Sequence, residues 1–168
     1  MPPRRLLLVR HAKAAQGGVD VDRPLTKRGI RQAAAIGAWL EQAGLVPDRV
    51  VVSPARRAAQ TWERAGAPLE PAPQLIVDER IYDNTVETVL TAIGDVPDEV
   101  QTLAVVGHNP SIAELTDVLD DGKGSADARR DLEAGFPTAG VAVFDVPSSF
   151  DAIAPGQATL SAFTRPGD

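Results

Sequence analysis

Three short aliphatic runs, at residues 5–9, 49–52 and 102–106, are each followed by polar residues and then by a stretch of helical periodicity. That alternation constrains the fold more than any other feature of the chain. A continuous run of Leu and Val, without polar alternation, is a strand buried on both faces. Parallel strands of this kind need helical crossovers packed on each side. Helices are expected at 26–43, 55–65, 84–93 and 111–119, with a short one near 127–134. Thr26 caps the first of these and Gly44 stops it. Asn84 and Glu87 resemble a capping box for the third. Asn109 is the expected cap of the fourth, with Pro110 in its first turn. A short strand is expected at 74–77, and two late strands at 140–146 and 158–164 are antiparallel neighbours. The expected fold class is α/β: a three-layer α/β/α sandwich with a mainly parallel central sheet. At 168 residues the chain is expected to form a single domain, 1–168.

Composition narrows the chemistry. The chain has no cysteine, which removes disulfides, thiolate zinc sites and thiol catalysis. Its two histidines, His11 and His108, lie far apart in sequence, so no metal is expected. The aliphatic run Leu6-Leu7-Leu8-Val9 is too short for a secretory signal or a membrane span, and a cytoplasmic protein with no membrane partner is expected. The formal net charge of -6 is unevenly spread: residues 1–64 carry +7 and residues 65–168 carry -13. The acidic total argues against a nucleic-acid partner, which needs a broad basic surface. On charge alone the asymmetry fits two solvated faces of opposite sign, or a basic first part that supplies a pocket for a small anion. Abundant Ala, Arg, Asp and Pro with one Met fit a GC-rich bacterial genome.

The polar residues after the three runs form one set. The first run leads into Arg10-His11, the second into Ser53-Pro54-Ala55-Arg56-Arg57, the third into Gly107-His108-Asn109. In open α/β sheets ligands bind beyond the carboxyl ends of the strands, so these residues are expected to converge. Arginine forks match oxyanions with paired, charge-assisted hydrogen bonds. Two arginines and two histidines around one point favour a dianion, most simply a phosphoryl group. A neutral imidazole, with an unperturbed pKa of about 6.5, is an available nucleophile near neutrality. A second, protonated histidine would add positive charge to the transition state. The implied chemistry is phosphoryl transfer through a phosphohistidine.

Four ordered blocks carry a resemblance. They are Leu8-Val9-Arg10-His11-Ala12-Lys13, then Arg23-Pro24-Leu25-Thr26-Lys27-Arg28-Gly29, then Val52-Ser53-Pro54-Ala55-Arg56-Arg57-Ala58-Ala59-Gln60-Thr61, and last Val106-Gly107-His108-Asn109. Together they resemble the histidine phosphatase superfamily, whose fold is phosphoglycerate mutase-like. The compact length, Arg-Pro-Leu-Thr and Phe136-Pro137-Thr138-Ala139-Gly140 resemble its SixA-type branch, the phosphohistidine phosphatases. The resemblance implies His11 as nucleophile and Arg10, Arg57 and His108 as the phosphate pocket. It adds Arg23 as a substrate-binding arginine, and Asp20 falls where the branch is acidic. Asp78-Glu79-Arg80-Ile81-Tyr82 is similar to the segment that carries a general acid in the mutases, which makes Glu79 the candidate acid. To donate a proton at neutral pH, Glu79 needs burial or a neighbouring like charge. One departure is visible: the superfamily's Arg-His-Gly reads Arg-His-Ala, with Ala12 third, although glycine is what tolerates a positive φ.

The expected activity is therefore a phosphatase without cofactor or metal, releasing inorganic phosphate. Its expected partner is a phosphorylated protein carrying phosphohistidine. The alternative substrate is a small phosphorylated metabolite, a phosphomonoester. A different class, a phospho-ligand binding module without turnover, is disfavoured by the intact Arg10-His11 and His108. Lys13, Arg28, Arg31 and Arg56 are expected at the surface, and Trp39 and Trp62 in the core. The acidic run 117–121 lacks calcium-loop spacing.

Overall fold

The computed structural model describes residues 2–167. Four strands run parallel: β1 (Arg4–Arg10), β2 (Arg49–Val52), β3 (Gln74–Val77) and β4 (Thr102–Gly107). β5 (Val141–Val146) joins antiparallel to β1, and β6 (Thr159–Thr164) antiparallel to β5. The sheet order is β3-β2-β4-β1-β5-β6. On one face lie α1 (Lys27–Ala43) and α2 (Arg56–Gly66). On the other lie α3 (Glu79–Asp83), α4 (Val86–Gly94), α5 (Ser111–Leu119) and α6 (Ala126–Leu132).

The pleat of β1 explains why its sequence is uniformly aliphatic. Successive side chains point to opposite faces. Leu6 and Leu8 enter one apolar layer with Ile81, Ile93, Ile112 and Leu115. Leu7 and Val9 enter the other, with Ile36, Leu40, Ala58 and Trp62. All four β1 residues are fully buried, and each contributes roughly 1.5–3 kcal/mol of transfer free energy. This double burial makes the α/β/α sandwich.

The helix ends hold the site's loops. The Thr26 hydroxyl accepts from the Gly29 N–H at 3.0 Å, and Gly44 stops α1 in the left-handed region at φ 69°. Gly29 also lets α1 press on the loop after β1: a Cβ there would stand 2.1 Å from the Lys13 carbonyl oxygen. Two expected caps are corrected. Asn84 does not start a helix; it closes α3 at φ 66°, a conformation asparagine tolerates. Its amide donates to the Asn109 carbonyl and its oxygen accepts from the Ser111 N–H. The capping box of α4 is made instead by Thr85 and Thr88. With the Ser111 N–H taken, Asn109 does not cap α5 and donates to the Phe136 carbonyl. In both cases a long-range hydrogen bond outcompetes a local cap of comparable strength.

Strand order sets the position of the site. β1 and β2 follow one another in sequence but are separated by β4. Arg10 pairs with Gly107, and Val52 with Val106. The carboxyl ends of β1, β4 and β2 therefore end side by side, where the order of the sheet switches. Among the described residues no helix is long and apolar enough to cross a membrane.

Candidate active site

His11 leaves β1 with its N–H bonded to the Gly107 carbonyl. Its ring is 8% exposed, and Nδ1 lies 2.7 Å from the Ala12 carbonyl oxygen. A carbonyl only accepts, so Nδ1 carries the ring hydrogen and Nε2 keeps the lone pair. Burial lowers the His11 pKa to about 4; the Ala12 bond opposes this, and Arg57, Arg10 and Arg23 add to it. The ring is thus a neutral base near pH 7. Ala12 itself is buried, and its N–H donates to the Thr61 hydroxyl at 2.9 Å. Thr61 passes its own hydrogen to the Arg57 carbonyl at 2.7 Å. Ala12 is not among the positive-φ residues, so alanine in place of glycine carries no backbone strain.

His108 follows β4, its ring centroid 5.3 Å from that of His11. Its Nε2 lies 2.8 Å from the buried Ser53 hydroxyl, which follows β2. Burial lowers its pKa to about 3, with the His11 and Arg57 charges acting in the same direction. The expected protonated second histidine is corrected: within this pocket His108 is neutral, because a cation there would be dehydrated and would face other positive charge.

Three arginines surround the pair. Arg57, in the first turn of α2, is 5% exposed and donates to the Asp20 carbonyl at 2.8 Å and to its carboxylate at 3.2 Å. Arg23 donates to the Asp20 carboxylate at 3.2 Å and to the Ala15 carbonyl at 3.1 Å. Arg10 donates to the Phe136 carbonyl at 2.9 Å, and burial followed by the nearby Arg165 charge lowers its pKa. Arg10, His11, Arg23, Lys13, Ala14, Gln16 and Thr138 line a cavity of about 220 Å³. A larger one, about 570 Å³, lies beyond Arg10 and is walled by Asn109, Asp131, Phe136, Phe163 and Arg165 among others.

Asp20 is the hub of the opposite side. It accepts from Arg57, Arg23 and the Tyr82 hydroxyl, the last at 2.6 Å. The Tyr82 hydrogen bond, with the charges of Arg57 and Arg23, holds its pKa down at about 2. Glu79, the expected acid, is the exposed first residue of α3. It shares a recess of about 480 Å³ with Asp20, Tyr82, Pro54 and Val19 rather than the arginine–histidine cluster. The burial that proton donation requires of it is not there.

The structure thus brings Arg10, His11, Arg23, Arg57 and His108 together and leaves Glu79 at the rim. Sequence reasoning passed over Ser53, Thr61 and Tyr82. All three stand in the quoted blocks, yet each is bonded to a residue far along the chain, Ser53 to His108, Thr61 to Ala12 and Tyr82 to Asp20, which no local pattern encodes. Lys13, Arg28, Arg31 and Arg56 are exposed as expected, and Trp62 is buried. Among the described residues no three His, Asp or Glu side chains form a metal-holding group.

Residues 6–85 match the model of the histidine phosphatase superfamily, branch 1. An uncharacterized protein of Mycobacterium tuberculosis is 42% identical over 164 residues, covering 94% of this chain and 99% of its own. Phosphohistidine phosphatase SixA of Escherichia coli is 30% identical over 122 residues, 71% of this chain and 76% of that one. The SixA structure from Nakamurella multipartitia superposes with a TM-score of 0.86 at 30% identity, over 99% of both chains. A buried histidine pair ringed by arginines, on this sheet and with these relatives, has one conclusion: the chain belongs to the histidine phosphatase superfamily and is a phosphatase of its SixA-type branch.

Proposed function

We propose that this phosphatase removes the phosphoryl group from phosphohistidine on a protein, passing it through a phosphohistidine on its own His11. Nε2 of His11 attacks phosphorus in line, and the P–N bond of the substrate breaks. The departing imidazole leaves neutral, having taken a proton on its distal nitrogen from solvent. Water then attacks phospho-His11, inorganic phosphate departs, and Nε2 regains its lone pair. Arg10, Arg23, Arg57 and His108 hold the phosphoryl oxygens, so positioning and charge supply most of the rate.

The observation that carries this reading is a poised nucleophile with no buried carboxylic acid beside it. Asp20, the acid within reach of the arginines, is ionised near pH 7, and its pKa of about 2 sets it further from donating a proton. Glu79 is exposed. An alkoxide leaving from a phosphomonoester requires a proton from such an acid. A protonated phosphoimidazole does not. The entering dianion carries twice the charge of Asp20 and displaces its carboxylate from Arg57 and Arg23. A second reading, a phosphomonoester of a small metabolite, is favoured by one feature: the cavity of about 570 Å³ beyond Arg10 has room for a metabolite's body.

The test compares turnover of a phosphohistidine protein with that of p-nitrophenyl phosphate and a panel of metabolite phosphomonoesters, with EDTA present. Phosphohistidine is expected to lead in kcat/KM by at least about tenfold, roughly 1.4 kcal/mol. Acid-labile phosphate is expected on His11, and His11→Ala is expected to abolish turnover. A phosphomonoester leading the panel would overturn the substrate. Normal rates from a folded His11→Ala protein would overturn the mechanism.

A further inference from the structure

His108 is neutral, yet it stands where a donor to the phosphoryl group is needed. A neutral imidazole has one hydrogen to give, so its use depends on which nitrogen carries it. The Ser53 hydroxyl decides this. Ser53 is fully buried between the ends of β2 and α2, and its own N–H is tied to the Val106 carbonyl of β4. Its Oγ accepts from the Ala55 N–H at 3.2 Å and lies 2.8 Å from Nε2 of His108.

The hydroxyl has one hydrogen and two lone pairs. One lone pair takes the Ala55 N–H. If Nε2 also donated, both lone pairs would be filled. The Ser53 hydrogen would then be buried with no acceptor among the hydrogen bonds of the described residues. If Ser53 donates to Nε2, every group in the chain Ala55–Ser53–His108 is satisfied up to the far side of the ring. Buried polar groups adopt the satisfied arrangement. The ring hydrogen then sits on Nδ1, which is buried and has no partner in the protein. Free imidazole side chains offer either nitrogen; here the Ser53 hydroxyl selects one, as a backbone carbonyl does when it orients a ring.

We propose that Ser53 is a positioning residue: its hydroxyl locks neutral His108 as the Nδ1–H tautomer, and that N–H is the donor His108 offers to the phosphoryl oxygen. His11 is locked by the opposite device. There a carbonyl holds Nδ1–H and frees an Nε2 lone pair to attack. Here a hydroxyl fills the Nε2 lone pair and frees an N–H to stabilise charge. Two histidines with ring centroids 5.3 Å apart thus receive opposite jobs from their neighbours, without either being ionised.

The donor role rests on the reading of the pocket as a phosphoryl site; the tautomer does not, and the two are measured separately. Nitrogen-15 NMR of the histidine rings, without substrate, is expected to show His108 protonated on Nδ1 with a bare Nε2. In Ser53→Ala the Nε2–H form is expected to appear. Inorganic phosphate, as the probe, is expected to bind more weakly to that variant. Its kcat is expected to fall about ten- to hundredfold, the usual range for a lost orienting partner, while His11 still forms phosphohistidine. Ser53→Thr, which keeps the hydroxyl, is expected to restore the tautomer and most of kcat. An Nε2–H tautomer in the native protein overturns the proposal. So does a Ser53→Ala protein with native tautomer, kcat and phosphate affinity. Failure of His11 to become phosphorylated in the native protein would sink the phosphoryl-transfer reading while leaving the tautomer result standing.

Discussion

The two sides of the candidate site are built differently. The phosphoryl side is assembled on the ends of β1, β2 and β4, with His11, Arg57 and His108 all under a tenth exposed. The two histidine rings and the Arg57 backbone are held by buried partners, Ala12, Ser53 and Thr61, while the Arg57 guanidinium reaches across to Asp20. The leaving-group side is a rim. Asp20 lies in a short 3₁₀ turn with its side chain 55% exposed, and Glu79 opens a five-residue helix at the surface. Preorganised dipoles cost no reorganisation during reaction, whereas charged groups on an exposed rim are screened by water. The contrast teaches where the chemistry is invested: in accepting the phosphoryl group, with the leaving group expected to depart unaided.

The largest blow to that comparison comes from Arg57, the residue that joins the two sides. Arg57→Ala removes a guanidinium from the phosphoryl side and leaves Asp20 with Arg23 and Tyr82. The expected loss is about 10²–10³-fold in kcat/KM, measured by steady-state phosphate release. Arg57→Lys is expected to recover only a small part. An ammonium lacks the planar fork that spans two oxygens. A lysine variant with native rates would mean that charge alone, without geometry, runs the phosphoryl side.

Much of this architecture is legible in the sequence. The uninterrupted Leu6–Val9 run announces a strand buried on both faces, because any polar residue there would have to face an apolar layer. The three strand ends announce convergence, because parallel strands bring their carboxyl ends to one edge. Less legible is whatever depends on contacts across the chain. Asn84 and Asn109 carry local capping signatures, yet their amides serve each other's loops and Phe136. The neutral state of His108 needs the burial and the neighbours, Arg57 and His11, that only folding supplies. The same holds for Glu79: the segment around it is recognisable, but its exposure is a tertiary fact.

A second, intermediate effect separates the sides by pH. His11 and His108 have folded pKa values of about 4 and about 3, against 6.5 for an unfolded histidine. A lowered histidine pKa means that the unfolded chain binds protons first. Stability is therefore full above about pH 6.5 and falls as the pH drops below it, continuing down to the folded values. By pH 4 the His11 term alone amounts to about 3 kcal/mol. Asp20 works in the same sense but in a lower window: its pKa falls from 3.8 to about 2 on folding, so its contribution is lost only between those values and does not mask the histidines above pH 4.5. Denaturant titrations from pH 7.5 to 4.5 are expected to show this slope, flattened in His11→Ala/His108→Ala. The acid limb of kcat/KM, corrected for substrate ionisation, is expected near pH 4. A limb near 6.5 would mean that His11 is solvated and that the phosphoryl side is as open as the rim.

The smallest expected effect is the most informative about the substrate. Glu79→Gln keeps size and hydrogen-bonding capacity but removes the acid. If the rim takes no part in expelling imidazole, kcat on a phosphohistidine protein is expected to change by less than about threefold, under roughly 0.7 kcal/mol of barrier. On a phosphomonoester a small loss is likewise expected, since Glu79 stands at the exposed rim; a loss toward the roughly 10²–10⁴-fold that general-acid assistance to an alkoxide contributes would make Glu79 the acid for that leaving group. The ratio of the two losses, measured on one preparation, is therefore a reading of the leaving group for which the site was built. Equal small losses would place Glu79 outside the chemistry of either substrate. A large loss on phosphohistidine would mean that the exposed glutamate folds inward once substrate is bound, and the contrast between a built side and a bare rim would describe only the empty site.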